Sequence, residues 1–94
     1  MKLIRDNIPE IMKARGESPK THVADEDEFR HLLVMKLVEE AHEFKLKPSA
    51  GELADVLEVV HSLAQQYGGF GVVDEVRKKK FAERGGFGKR IVLD

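Results

Sequence analysis

The 94-residue sequence is 41% hydrophobic and 35% charged and has no cysteine, which fits one globular domain over residues 1–94. The missing cysteines exclude a disulfide framework, a thiolate metal site and a cysteine nucleophile. Its 16 basic and 17 acidic residues leave a net charge of -1, so composition supplies no general attraction to nucleic acid or anionic membranes.

The opening MKLIRDNIPE has neither a signal-peptide apolar core nor a transit-peptide composition. No apolar run approaches the roughly 18 residues that a membrane span requires. A soluble cytoplasmic protein is therefore expected. Asp6 or Asn7 can cap a first short helix, with Pro9 in its first turn, Gly16 at its end and Pro19 soon after. A longer helix is expected from Asp25 to about Leu46. The acidic DEDE lies at its start, where the helix dipole favours negative charge, and Pro48 limits its end. A third helix begins at Ser49, three residues before Glu52 in a capping-box pattern, and runs to about Tyr67 before Gly68-Gly69. A fourth spans about Val72 to Arg84 and stops at Gly85-Gly86. The tail FGKRIVLD alternates too little to assign, an extended arm being one option. The fold class is all-α with four helices, and the short Lys-Pro-Ser-Ala-Gly break predicts that the two central helices run antiparallel.

Helical projection locates the charges relative to the apolar faces. With Glu39 at zero, Leu33, Val34, Leu37, Val38, Ala41 and Phe44 fill roughly 120° to 260°. Glu39, Glu43 and Glu40 lie at about 0°, 40° and 100°, an acidic stripe along the border of that arc. With Glu52 at zero, seven apolar residues of the third helix occupy roughly 340° round to 140°. Glu52 thus lies inside the apolar arc and Asp55 at its edge. A buried lone carboxylate is costly unless a cation or hydrogen-bond donors compensate it. Glu52 has two readings: it completes the capping box with Ser49 near the surface, or it joins Asp55 opposite the acidic stripe. Several convergent carboxylates without cysteine or a strong histidine set suit hard cations, Mg2+ or Mn2+, which take oxygen ligands and bridge to substrate phosphate.

EEAHE followed by ELAD resembles the EExxE…ExxD signature of the all-α nucleoside triphosphate pyrophosphohydrolases, the MazG-like superfamily. KLIRDNIPEIM resembles the KLVRDKIPEII opening of its phosphoribosyl-ATP pyrophosphohydrolase-like branch, and KFAERGGF resembles the KxxxRGxF stretch after its last helix. The resemblance spans nearly the whole chain in the family order. Only residues 44 to 51 separate the two acidic motifs, a shorter spacer than is usual in MazG. The resemblance implies Mg2+-dependent cleavage of a nucleoside triphosphate at the α–β bond. Glu40, Glu43, Glu52 and Asp55 would be the metal ligands. Glu39 would orient or deprotonate the attacking water, or stand just outside the ligands. Lys80 and Arg84 would contact the triphosphate. Arg5 and Asp6 match the family pattern too; Arg5 would join the phosphate contacts, or the two form a helix cap with a surface ion pair. A homodimer or homotetramer is expected, because a chain this short must complete its core by association.

Two rival readings remain. Glu39-x-x-His42 and Glu58-x-x-His61 are the paired spacings of di-iron carboxylate bundles, but Glu58 and His61 project at roughly 240° and 180°, away from the apolar arc. A non-catalytic nucleotide-binding or interaction module of the same fold is the other. A nucleic-acid reading of Arg77 to Lys80 lacks interleaved aromatic residues, since Phe81 and Phe87 are isolated. Ser18, Ser49 and Ser62 sit in no triad setting.

Overall fold

The computed structural model describes residues 1–94. Four α-helices follow in order: α1 (Ile8–Ala14), α2 (Glu26–Leu46), α3 (Ala50–Ala64) and α4 (Phe70–Arg84), with a single 3-10 turn at Gln65–Tyr67 and no strand. No helix is long and apolar enough to cross a membrane. The chain divides into two compact units, Met1–Leu63 and Ala64–Asp94.

In the first unit, α1 starts at Asn7, whose side chain makes no capping bond. Its first turn is entered through a hydrogen bond from the Ile8 amide to the Arg5 carbonyl, 3.0 Å. The helix closes with two 3.0 Å bonds, Gly16 N–H to Lys13 and Glu17 N–H to Met12. This is the paired closure that a left-handed residue permits, and Gly16 adopts it at φ +83°. For α2 the cap is Asp25, whose carboxylate accepts the Glu28 amide at 2.9 Å, with Glu26, Asp27 and Glu28 all in the first turn. Lys47, Pro48 and Ser49 separate α2 from α3, and Ser49 Oγ accepts the Glu52 amide at 3.1 Å.

Leu33 and Val59 are buried, and half-buried Leu37, Phe44, Val56 and Leu63 surround them in the sequence pattern of the two facing helices. Only part of each apolar arc is covered. On α2 the covered part lies at roughly 120° to 160°, whereas Val34 and Val38, at about 220° and 260°, are 48% and 62% exposed. On α3, Leu53 and Leu57, at roughly 100° and 140°, are 54% and 50% exposed. A three-residue connection returns α3 antiparallel to α2, and by helical projection the open flanks then fall on one side of the pair and Asp55 and Glu43 on the other.

In the second unit, Ala64 is buried. The Gly69 amide bonds back to the Ala64 carbonyl at 2.8 Å while Gly68 turns the chain at φ +97°. A Cβ on Gly68 would meet a Val72 methyl carbon at 3.2 Å, so both its conformation and its neighbour favour glycine. Directly after this turn α4 begins, two residues earlier than the sequence pattern suggests. On its surface Asp74 accepts from Arg77 Nε at 2.7 Å and pairs with Lys78 at 3.5 Å. The Arg77 hydrogen bond is the main cause that holds the Asp74 carboxyl below its ordinary pKa. Its contribution to stability is therefore present above the ordinary carboxylate pKa and is lost as acid takes the pH through the lowered one.

Candidate metal centre

The short α2–α3 connection brings three carboxylates together. Glu40 comes from α2, and Glu52 and Asp55 come from adjacent turns of α3. One carboxylate oxygen from each lies within 4.8 Å of the others, and all three residues are half-buried. No histidine belongs to this group. Like charges at that separation repel by between about 1 and 4 kcal/mol per pair, from the bulk-water limit to the near-surface one. Something must offset this, and the chain supplies two cations. Arg5 Nη2 donates to Asp55 Oδ1 at 2.7 Å, and Lys36 Nζ stands 3.5 Å from Glu40 Oε1.

Glu52 serves the cap and the cluster through different atoms. Its backbone N–H is the donor that Ser49 Oγ accepts, and its side chain belongs to the carboxylate group. The Ser49 amide does not donate to the Glu52 carboxylate in return, so half of the capping box forms and the acid remains available.

Glu43 is exposed and stands outside the triad. Glu39 is directed to a different neighbourhood. Its Oε2 lies 3.4 Å from Lys36 and its Oε1 3.8 Å from Lys2, beside a cavity of about 260 Å3 between the N-terminal segment and α2. Arg5 forms its ion pair with Asp55, fifty positions along the chain, and none with Asp6. The di-iron spacing does not assemble either: His42 and Glu58 are exposed, and neither joins the triad. Lys80 and Arg84 both lie on α4 in the second unit, exposed and without an ion pair, four residues apart on one face.

Lys36 is the participant that sequence reasoning overlooked. Its spacing of three and four residues from Glu39 and Glu40 is the signal that finds it. As a donor set, three carboxylates without nitrogen or sulfur suit a hard divalent cation. Their partial exposure leaves room for the waters that Mg2+ retains. Comparison with protein-family models, curated proteins and solved structures finds no match for this chain.

Proposed function

We propose that this chain is a Mg2+-dependent nucleoside triphosphate pyrophosphohydrolase of the MazG-like kind, with Mn2+ as an alternative ion. The observation that carries this reading is the convergence of Glu40, Glu52 and Asp55 at the α2–α3 hairpin. The EExxE…ExxD resemblance supports it, because these three are motif positions. Bound there, Mg2+ would neutralise charge on the phosphates and lower the pKa of the attacking water. The carboxylates would hold the ion and, through it, fix the orientation of the triphosphate. Glu43 would add a fourth oxygen by turning its exposed side chain. Glu39 would accept a proton from water once Lys36 or Lys2 yields it, or would hold that water in line. The KxxxRGxF resemblance, and nothing in their placement, gives Lys80 and Arg84 the role of offsetting phosphate charge. Water attacks the α-phosphorus, the α–β bridging bond breaks, and the products are nucleoside monophosphate and pyrophosphate.

Incubation with each NTP and dNTP plus Mg2+, followed by chromatographic separation, tests the proposal. Equal amounts of monophosphate and pyrophosphate are expected from at least one nucleotide. Orthophosphate release, or no turnover of any of them, would sink the reading. Nucleotide binding without turnover would favour the non-catalytic module.

A homodimer or homotetramer forms part of the same reading. Val34, Val38, Leu53 and Leu57 leave an apolar side of the hairpin open, and a chain of 94 residues with three buried apolar side chains has little core of its own. Light scattering after size exclusion is expected to give a mass of at least two chains. The double substitution Val38→Glu, Leu57→Glu should lower it to one. A wild-type monomer at micromolar concentration would remove association from the proposal. A cytoplasmic location is the matching expectation.

A further inference from the structure

Arg5 is the residue whose placement asks for an explanation beyond the reaction itself. It reaches from the irregular segment before α1 to the far helix of the hairpin, and its guanidinium donates at 2.7 Å to one of the three clustered carboxylates. The pair is solvent-exposed, so it is a reversible contact rather than a buried structural one. The same segment has a second attachment to the hairpin side chains, the looser 3.8 Å approach of Lys2 to Glu39. Arg5 and Lys36 together set two positive charges against three negative ones, which lets the acids stand within 4.8 Å of one another.

We infer that Arg5 is a built-in counter-ion that a divalent cation must displace from Asp55, so that loading of the hairpin loosens the N-terminal segment. This rests on the metal-site reading proposed above. The physical argument is competition for one carboxylate. Asp55 Oδ1 lies at hydrogen-bond distance from a cation that cannot lose its charge. An incoming ion that takes this carboxylate meets the guanidinium at a distance where like charges repel, and Arg5 has solvent to move into. Lys36 differs, because its side chain is only 17% exposed and Glu39 lies 3.4 Å away as an alternative partner. It can shift to Glu39 without leaving the helix. Arg5 has no second acid within ion-pair distance, so its release leaves the looser 3.8 Å approach of Lys2 to Glu39 as the segment's remaining ion pair with the hairpin.

Arg5 is a positioning residue in this account, and its test is binding rather than turnover. Mn2+ affinity is measured by electron paramagnetic resonance for the wild type, Arg5→Gln and Lys2→Gln. Removing the competing cation is expected to tighten Mn2+ by roughly two- to fivefold, the range an exposed ion pair supplies as a competitor. Lys2→Gln removes the same charge from the same segment without touching Asp55 and is expected to leave affinity nearly unchanged. A second measurement needs no variant. On adding diamagnetic Mg2+, backbone 15N order parameters for Leu3 to Arg5 should fall while those of α2 hold. Wild-type Mn2+ binding with unchanged or weakened binding by Arg5→Gln overturns this inference alone. So does equal tightening by both variants, or an N-terminal segment whose order parameters do not move. Absence of Mn2+ binding by wild type and variant alike removes the metal site and the inference with it.

Discussion

Glu40→Gln is expected to lower the proposed pyrophosphohydrolase turnover by on the order of a hundredfold or more, with helix content unchanged by circular dichroism. The neutral amide has the shape of the acid but offers a weaker donor to a hard cation. Glu40 is the only one of the three clustered acids contributed by α2, and its side chain is 14% exposed, the most enclosed acid in the ion-pair set. The companion substitution separates motif from geometry. By the EExxE resemblance, Glu43→Gln should be as damaging as Glu40→Gln. Glu43 is exposed and outside the triad, so the expected loss is smaller, about tenfold, for a ligand that must rotate inward. Pyrophosphate release under saturating Mg2+ measures both. An equal loss would place Glu43 on the ion; full activity in Glu40→Gln would remove the triad from the chemistry.

Leu33→Ala is expected to be the most damaging single change to folding. Leu33 is 4% exposed, and only Val59 and Ala64 share its degree of burial. Truncation removes its transfer free energy and leaves a cavity, about 3 kcal/mol within a usual range of about 2 to 5. Against a typical total of about 5 to 15 kcal/mol that is a large fraction. Melting should fall by roughly 10 to 20 °C, read by circular dichroism at fixed protein concentration. Val38→Ala is the matched control, on the same helix but 62% exposed. In a single chain its cost should stay within about 0.5 kcal/mol. Should Val38→Ala match Leu33→Ala even at high dilution, the assignment of the core to the Leu33 flank would fail.

Those two substitutions also mark where the sequence stops being informative. Helix existence and ends were legible because their causes are local. Asp25 and Ser49 cap, Gly16 and Gly68 turn, and the pattern of apolar residues repeats at the helical period. The start of α4 was set too late because Gly71 falls in its first turn and weakens the pattern there. Periodicity marks an apolar arc but not which flank meets a partner. Leu33 and Val34 are equivalent by pattern, yet one is buried and the other 48% exposed. For the acids, spacing selected Glu40, Glu43, Glu52 and Asp55, of which Glu43 stays outside the cluster, and it left Glu52 divided between cap and cluster. The two roles use separate atoms, a distinction visible only with coordinates. Arg5 on Asp55 could not be read at all, since a contact across fifty positions leaves no local pattern.

The three-residue connection between α2 and α3 has a consequence for the order of assembly. Glu40, Glu52 and Asp55 lie within one short loop of each other, so closing the hairpin is enough to gather them, at little entropic cost. The carboxylate cluster is thus available in the nascent chain as soon as two neighbouring helices pair. The Arg5 contact instead closes a long loop and belongs among the last to form. During that interval the acids repel one another with Lys36 as the compensating cation at hand.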